Sequence, residues 1–216
     1  MADPRLFRLR VTFAKAGRLA MLSHLEVAHA LERAVRRAGL PFAVSQGFSP
    51  HMRIAFGAAL PVGVGGTAEV FDLFLREYVA PDRALSALQG ASSAELAPVS
   101  CAYVEHSAPA ASVAFPLSTY EVEFSCAPKR LVVPDEVRVV RKKKEKALAV
   151  ADFLVGEVAV RGARATFTLK AKPTGSLRPD VLMHACVDAT VAAGAAPEGF
   201  RVMKMTRVRQ VQSGRS

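Results

Sequence analysis

The order of hydrophobic periods along the first half of the chain is what most constrains its fold. Alternation of apolar and polar residues indicates a half-buried strand, and apolar residues three and four apart indicate an amphipathic helix. These patterns occur in the order strand, helix, strand, strand, helix, strand over residues 6–17, 24–38, 53–63, 69–75, 81–89 and 95–105. Residues 42–45 add one possible short strand. The order of elements therefore restricts the first half to a few compact topologies.

This order is typical of the ferredoxin-like arrangement, in which two helices cover one face of an antiparallel sheet. The second half has its own strand and helix patterns, at residues 120–124, 153–160, 165–169, 179–193 and 200–211, and a lysine-rich stretch interrupts it. We expect an α+β protein with a ferredoxin-like domain at 1–106 and an Ala/Ser/Pro-rich linker at 107–118. A smaller α+β domain at 119–216 would lie beside the first.

The first helix has clear start and stop signals. Ser23 and Glu26 stand at the spacing of a capping box, in which each side chain satisfies a backbone N–H of the first turn. Gly39 and Pro41 end the helical pattern. We therefore expect the helix to begin next to His24.

The charge of the chain concerns its partners more than its fold. Lys and Arg total 29 against 19 Asp and Glu, a formal net charge of +10. The cations occur in clusters, which favours a polyanionic partner, RNA above all, over a role in solubility alone.

Several classes of protein are not favoured by the sequence. Cys101, Cys126 and Cys186 have no metal-ligand spacing, so we interpret them as buried thiols and predict no metal. The sequence contains neither a phosphate-binding glycine loop nor another motif for a bound cofactor, so none is expected. No secretion signal or membrane-spanning stretch is evident, and we expect a cytoplasmic protein that does not contact membranes.

Two histidines occupy special positions. His24 lies in the first turn of the predicted helix, where the helix dipole favours a neutral imidazole, and His51 follows a proline in a loop. A neutral imidazole can accept a proton from a 2′-hydroxyl group. Alternatively, His24 forms only a local hydrogen bond and His51 only fixes the loop.

A candidate specificity pocket combines these histidines with the turn-rich loop that precedes His51. Gly47 allows a close backbone approach or a positive φ, and the neighbouring polar side chains supply adaptable hydrogen-bonding groups. The pocket residues that we predict are Ser23, His24, Ser45, Gln46, Gly47, Phe48 and His51.

Cationic side chains that could hold phosphates occur on the first helix and in the second half. The candidates are Arg33, Arg36, Arg37, Arg141, Lys142, Lys143, Lys144, Lys146 and Arg178. Guanidinium groups make bidentate phosphate contacts, and Arg178 precedes a helix start that resembles an anion site. A solvated helix face, an exposed loop and ordinary helix capping are the respective alternatives.

Seven motifs follow one another along the chain: KAG at 15–17, LSHLE at 22–26, RAVRRAGLP at 33–41, SQGFSPH at 45–51, LPVG at 60–63, RKKK at 141–144 and GSLRP at 175–179. In this order they resemble the motifs of a bacterial radical-SAM-linked domain family of uncharacterised function. The chain departs from that family at Glu26, where aspartate is usual, and at Met52, where proline is common. The stretch after Lys146 is also less charged.

The resemblance implies a domain fused to, or encoded beside, a radical-SAM protein with a cobalamin-type binding region. It also implies a role in RNA maturation or modification. Because no radical-SAM cysteine motif is present, such a partner would be a separate protein.

We therefore expect an RNA-binding accessory protein that presents RNA to a separate radical-SAM enzyme, with Phe48 available to stack on a base. One alternative is a metal-independent endoribonuclease that uses His24 or His51. Another is a protein–protein adaptor without an RNA role.

Overall fold

The computed structural model describes residues 6–141, 144–172 and 175–212. The chain divides into two compact units, one ending at Phe115 and the other beginning at Pro116. Each unit combines antiparallel strands with helices, so the predicted α+β class is confirmed. Within these residues, no helix has the length and apolar character needed to cross a bilayer.

The described part of the first unit follows the predicted order of elements. They are β1 Phe7–Lys15, α1 His24–Arg37, β2 Ile54–Phe56, β3 Val64–Leu75, α2 Pro81–Ala91 and β4 Pro98–Tyr103. β1 pairs antiparallel with β3 and β4, and β2 pairs antiparallel with the other edge of β3. The resulting order β4-β1-β3-β2 is that of the ferredoxin-like arrangement.

The core of the first unit lies between one face of this sheet and the helices. Leu9, Val11 and Phe71 are fully buried there with Leu31 and Val35 of α1. Full burial of each such side chain contributes about 1.5 to 3 kcal/mol. This packing fixes α1, and with it the position of His24, relative to β1 and β3.

The capping box at the start of α1 forms as predicted. The Ser23 N–H donates to Glu26 Oε2 over 2.8 Å, and the Glu26 N–H donates to Ser23 Oγ over 3.4 Å. The Ser23 hydroxyl also donates to the Glu26 carboxylate over 2.7 Å. After the helix, Gly39 takes a positive φ of 65°, a conformation that glycine adopts without a side-chain clash.

The other face of the first sheet carries a buried charge cluster. The Asp72 carboxylate accepts hydrogen bonds from the guanidinium groups of Arg8 and Arg10, each at 2.7 Å. Arg8 also donates to the carbonyl oxygens of Ala108 and Pro109, at 2.7 and 2.8 Å. The cluster therefore holds the segment that follows β4 against the sheet.

The second unit consists of a four-stranded antiparallel sheet, a separate hairpin and a helix among its described residues. Their bounds are β5 Leu117–Phe124, β6 Glu136–Arg141, β7 Lys144–Ala149, β8 Leu154–Arg161, β9 Arg164–Lys170, α3 Pro179–Ala192 and β10 Val202–Val211. The order within the sheet is β10-β5-β9-β8, and β6 and β7 form the separate hairpin. α3 contacts both β10 and β6.

The structure differs from the sequence prediction in three segments. Of residues 53–63 only β2 is a strand, because Gly57, Pro61 and Gly63 introduce turns. The region predicted as a linker contains a helical turn at Ala111–Ala114 and the first residues of β5. The lysine-rich stretch, predicted to interrupt the second half, contains the end of β6 and the first half of β7.

Candidate nucleic-acid interface

A stretch without acidic side chains surrounds the predicted loop of the first unit. Residues 33–68 contain neither Asp nor Glu. The same stretch carries Arg33, Arg36, Arg37, Arg53 and His51. A run of cations without compensating carboxylates produces a positive local potential that attracts polyanions.

Residues 42–53 of this stretch form what we call the ribbon. Phe42 is bridged to Leu75 at the end of β3, and Val44 is bridged to Met52. The Arg53 N–H donates to the Ala43 carbonyl over 2.8 Å. Isolated bridges replace the short strand predicted at 42–45, and they hold the base of the loop next to the sheet.

The loop at the tip of the ribbon is closed by two hydrogen bonds between the same two residues. The Ser45 N–H donates to the His51 carbonyl over 2.8 Å, and the His51 N–H donates to Ser45 Oγ over 3.0 Å. Gly47 has a φ of 127°, a region that residues with side chains rarely adopt. Ser45 therefore closes the loop, while His51 is exposed.

Phe48 is the most exposed large apolar residue of the described chain. Its relative exposure is 112%, higher than that of an extended reference peptide. Gln46 and Ser49 beside it are also exposed. An isolated aromatic ring between polar residues presents both of its faces to a partner.

Two arginines lie over phenylalanine rings at the base of the ribbon. The Arg36 guanidinium carbon is 5.2 Å from the centroid of the Phe42 ring, and that of Arg53 is 5.1 Å from the centroid of Phe74. Such cation–π pairs orient a guanidinium group without neutralising its charge. Both groups therefore remain able to contact a phosphate.

The other two predicted arginines of α1 have different environments. Arg37 donates to the Ala91 carbonyl from both Nη2 and Nε, at 2.6 and 3.2 Å, and so helps to satisfy the end of α2. Arg33 is exposed and makes no hydrogen bond or ion pair within the described residues. Both line a cavity of about 270 Å³ near Ser92 and Ser93. Their shared helix face therefore contains one arginine with a structural contact and one without.

His24 lies at a second and smaller cavity of the first unit, of about 30 Å³. Its ring meets the Phe56 ring edge to face, with centroids 5.5 Å apart. The lining residues are Phe13, Lys15, His24, Val27, Phe56, Gly57, Ala58, Ala59, Leu60, Glu69 and Val70. Of the seven pocket residues predicted from the sequence, this lining includes His24 alone, and the hydroxyl of Ser23 is occupied by the capping box.

Two charged residues of this cavity were not singled out as site residues by the sequence analysis. Lys15 and Glu69 are 3% and 6% exposed, and both line the cavity. Residues two apart on a strand lie on the same face. Lys15 therefore lies on the inward face of β1 with Phe13, and Glu69 lies on the inward face of β3 with Phe71. A charged residue at a position of a strand that faces the core is a sequence signal by which Lys15 and Glu69 can be identified as candidate site residues.

The second unit carries most of the excess charge of the chain. From Pro116 onward the sequence has 18 Lys and Arg against 10 Asp and Glu, a net charge of +8, whereas the first unit has 11 against 9. Arg141 and Lys144 lie at the facing ends of β6 and β7, and Lys142 and Lys143 lie outside the described residues. Lys146 is exposed on β7. The described residues of the predicted cationic tract therefore belong to the hairpin of β6 and β7.

Two motifs that are distant in sequence meet in one cavity of about 140 Å³ in this unit. Lys146 lines it together with Gly175, Ser176 and Lys172. The Lys172 ammonium lies 2.8 Å from the Asp152 carboxylate, and that hydrogen bond, aided by the charge of Lys172, lowers the pKa of Asp152. This cavity combines two ammonium groups with one carboxylate.

Arg178 has a local partner in the structure. Its guanidinium donates to both carboxylate oxygens of Asp180, at 3.1 and 2.5 Å, in front of α3. Arg178 is thus already paired with an acidic residue of the first turn of α3. For Arg178 to contact a phosphate, it would have to exchange this partner.

Two of the three cysteines have thiols that are harder to ionise than a free thiol. Burial raises the pKa of the Cys101 thiol to about 11 and that of Cys186 to about 12. Cys186 is fully buried, whereas Cys101 and Cys126 are half-buried. The expectation of three buried thiols therefore fits Cys186 best.

Comparisons with known proteins give one family. The profile of a family described as "Uncharacterized protein conserved in bacteria (DUF2344)" matches residues 8–179. No curated protein matches the chain at a significant level.

Among solved structures, the chain is similar to one in the crystal structure of a Cbf5-Nop10-Gar1 complex, with 10% sequence identity and a TM-score of 0.41. The similarity covers 94% of this chain and 48% of that chain, so the chain spans about half the length of the solved one. A TM-score this low establishes neither a common fold nor a common function.

Proposed function

The chain belongs to the DUF2344 family of uncharacterized proteins conserved in bacteria, and we propose that it is a cytoplasmic protein that binds single-stranded RNA. The observation that carries this proposal is the acid-free stretch 33–68, in which Arg36 and Arg53 lie over phenylalanine rings and the ring of Phe48 is exposed. Proteins that bind single strands use the same two components, cations along the backbone and aromatic rings under the bases.

The ribbon and the neighbouring Arg36 of α1 together have a group for each kind of contact that such binding requires. Arg36 and Arg53 are held over phenylalanine rings and keep their charge for phosphates. Phe48 offers a face for base stacking, and Gln46 offers an amide for the edge of a base. Because Ser45 and His51 close the loop, less conformational entropy is lost when RNA binds.

The second unit would supply most of the electrostatic attraction. Its net charge of +8 and its exposed Lys146 favour phosphates of any sequence. Phosphate contacts give affinity and position, whereas base contacts give sequence preference. We therefore assign affinity mainly to the second unit and base contacts to the first.

Fluorescence anisotropy with a labelled RNA of about 12 nucleotides tests the proposal. Phe48→Ala should weaken binding by about 5- to 150-fold, because one base stack contributes about 1 to 3 kcal/mol. Phe48→Tyr keeps the ring and should bind within about twofold of the unchanged protein.

Because Phe48 is fully exposed, neither change should alter the free energy of unfolding by more than about 0.5 kcal/mol. Absence of binding at low salt, or equal affinity of the alanine and tyrosine variants, would refute the proposal. Cleavage of the RNA in the presence of EDTA would instead support the endoribonuclease alternative.

We further propose a separate radical-SAM enzyme as the partner that receives the bound RNA. This step is supported only by the resemblance of the seven sequence motifs. Co-purification of such an enzyme with the tagged protein, reduced by nuclease treatment, is the expected result. A partner that stays bound after nuclease treatment and at high salt would favour the adaptor alternative.

A further inference from the structure

The cavity near Ser92 and Ser93 lies between α1 and the end of α2, and we call it the α1–α2 cavity. Its volume is about 270 Å³, and its polar lining consists of Arg33 and Arg37 of α1 together with the two serines that follow α2. None of the residues that line it is acidic. Guanidinium and hydroxyl groups without a nearby carboxylate form a surface suited to an anion.

Ser92 supplies this cavity with an unsatisfied hydroxyl group. The Ser92 Oγ is buried, and it has no hydrogen-bond partner among the described residues. Burial of a hydroxyl group without a partner is unfavourable, and alanine at this position would avoid that penalty. A buried polar group of this kind calls for an explanation, and a ligand that enters the cavity and bonds to the hydroxyl is one.

The two arginines of the cavity retain hydrogen-bond donors for such a ligand. Arg33 and Arg37 are four residues apart, so their side chains lie next to each other on one face of α1. Arg33 makes no hydrogen bond or ion pair within the described residues. Arg37 donates from Nη2 and Nε to the Ala91 carbonyl, at 2.6 and 3.2 Å, and a guanidinium group has five N–H donors. The Nη1 donors of Arg37 therefore remain available.

The charge of the cavity is positive even though it adjoins the end of α2. The last carbonyl groups of a helix carry a partial negative charge, and the last turn of α2 contains no basic residue of its own. Arg37 lies against one of these carbonyl groups and compensates for that charge. Arg33 is then the cation whose charge is left for a ligand.

The volume and the apolar part of the lining indicate what is attached to the anion. About 270 Å³ corresponds to the volume of about nine water molecules, which is more than a phosphate group alone would fill. The rest of the lining is largely apolar and includes Leu19, Leu22, Leu31 and Leu96. An anionic group that carries a sugar or another compact group would therefore fit the cavity better than a free inorganic ion.

The depth of the Ser92 hydroxyl favours a terminal phosphate over one within a strand. A phosphate inside a nucleic acid carries a sugar on each side, whereas a terminal phosphate can enter a cavity with its free oxygens first. A phosphate monoester has three acceptor oxygens and a charge between about −1.5 and −2 at neutral pH. Two guanidinium groups and a hydroxyl group match these oxygens.

We propose that the α1–α2 cavity binds a phosphate monoester, with its phosphate at Arg33, Arg37 and Ser92. The monoester is either the 5′ end of an RNA strand or a free mononucleotide, because both present the same terminal phosphate. This site goes beyond the proposed binding of single-stranded RNA, since it involves neither the ribbon nor the second unit.

Anisotropy with two oligouridines of about 12 nucleotides, labelled at the 3′ end, tests the inference: one carries a 5′-phosphate and the other a 5′-hydroxyl. The unchanged protein should bind the phosphorylated strand at least about tenfold more tightly, because hydrogen bonds to a charged group are stronger than those to a neutral one. Ser92→Ala and Arg33→Gln should each remove most of this gain. Ser86→Ala and Arg83→Gln are the matched controls, because both residues are exposed on α2 and do not line the cavity, and they should keep the gain.

The Ser92→Ala variant separates loss of the ligand from loss of the fold. Its hydroxyl group has no partner to lose within the described residues, so the urea midpoint should be equal to or higher than that of the unchanged protein. Its affinity for the 5′-hydroxyl strand should also stay the same. A loss confined to the phosphorylated strand would thus report on a contact with the phosphate.

Calorimetry with uridine 5′-monophosphate and with uridine distinguishes the two sources of the monoester. Binding of the mononucleotide alone, weakened by Ser92→Ala, would support the cavity with a free nucleotide as its ligand, even without a gain for phosphorylated RNA. The same result without binding of either RNA would refute the proposed function and keep the cavity. Equal affinity for the two RNAs and no binding of the mononucleotide would overturn the site and leave RNA binding intact. A gain that persists in both Ser92→Ala and Arg33→Gln would overturn it as well.

Discussion

At Asp72 a single carboxylate compensates two buried guanidinium groups. Arg8 and Arg10 are 7% and 8% exposed, and Asp72 is fully buried. Removal of one partner from a buried ion pair leaves an uncompensated charge, which is far more destabilising than loss of an exposed pair. The cluster is therefore a point at which one substitution should affect the stability of the first unit.

We expect Asp72→Asn to lower the free energy of unfolding by about 3 to 5 kcal/mol, as measured by urea denaturation. Asp188→Asn provides the matched control, because Asp188 is exposed on α3 and forms no ion pair within the described residues. That change should stay within about 0.5 kcal/mol. Equal effects of the two substitutions would contradict the structural role of the cluster.

The residue scale also shows what could be predicted from the sequence and what could not. The positions of His24 at a helix start and of Phe48 in a loop follow from local signals and agree with the structure. The partner of each arginine does not follow from local signals. Arg37 bonds to Ala91 and Arg36 lies over Phe42, contacts that depend on how distant segments come together.

Among the elements, α1 has the best-defined start. Hydrogen bonds from Ser23 to the Glu26 carboxylate lower the pKa of Glu26 below its ordinary value. The bond from the Ser23 hydroxyl has the larger effect, and the bond from the Ser23 N–H has the smaller one. A carboxyl group whose pKa is lower in the folded than in the unfolded protein stabilises the folded state at pH values above its unfolded-state pKa. That contribution is lost as the pH falls through the folded pKa.

Ser23→Ala should therefore raise the pKa of Glu26 toward its ordinary value in an NMR titration of the Glu26 side chain. Loss of the cap should also lower the stability by about 1 kcal/mol at neutral pH. The difference in stability should be smaller at acidic pH, where the carboxyl is protonated in both proteins. Glu26→Gln, which cannot titrate, should lack this pH-dependent part, and an unchanged Glu26 pKa in Ser23→Ala would be inconsistent with the capping geometry.

Helices were predicted more accurately than short strands. α1, α2 and α3 all begin within one residue of their predicted starts, because capping serine or proline marks each start. β2 is only three residues long and depends on pairing with β3, a partner that its own sequence does not specify. The hairpin of β6 and β7 was missed for a similar reason, since its lysine-rich composition indicates exposure and not pairing.

In the whole molecule, most of the excess positive charge belongs to one unit and the cavity beside His24 belongs to the other. The second unit has a net charge of +8, whereas the cavity beside His24 and the ribbon belong to the first, with a net charge of +2. Cations of the second unit would act on any RNA, because phosphates carry no sequence information. Salt dependence and base preference should therefore respond to different substitutions.

The salt dependence of RNA binding tests this division. Neutralisation of exposed cations of the second unit by Lys146→Gln, Lys204→Gln and Arg209→Gln should reduce the slope of log K against log salt by about 0.7 for each phosphate that is no longer neutralised. The fold loss of affinity caused by Phe48→Ala should not change, since phosphate contacts are independent of the stacking of a base.

Arg83→Gln is the matched control for these substitutions, because Arg83 is exposed on α2, next to Asp82, and belongs to neither proposed surface. It should leave both the slope and the fold loss caused by Phe48→Ala unaltered. If the second-unit variants kept the full slope while Arg36→Gln and Arg53→Gln reduced it, the phosphates would have to be assigned to the ribbon instead. The excess charge of the second unit would then require a separate explanation, because it would lie away from the bound strand.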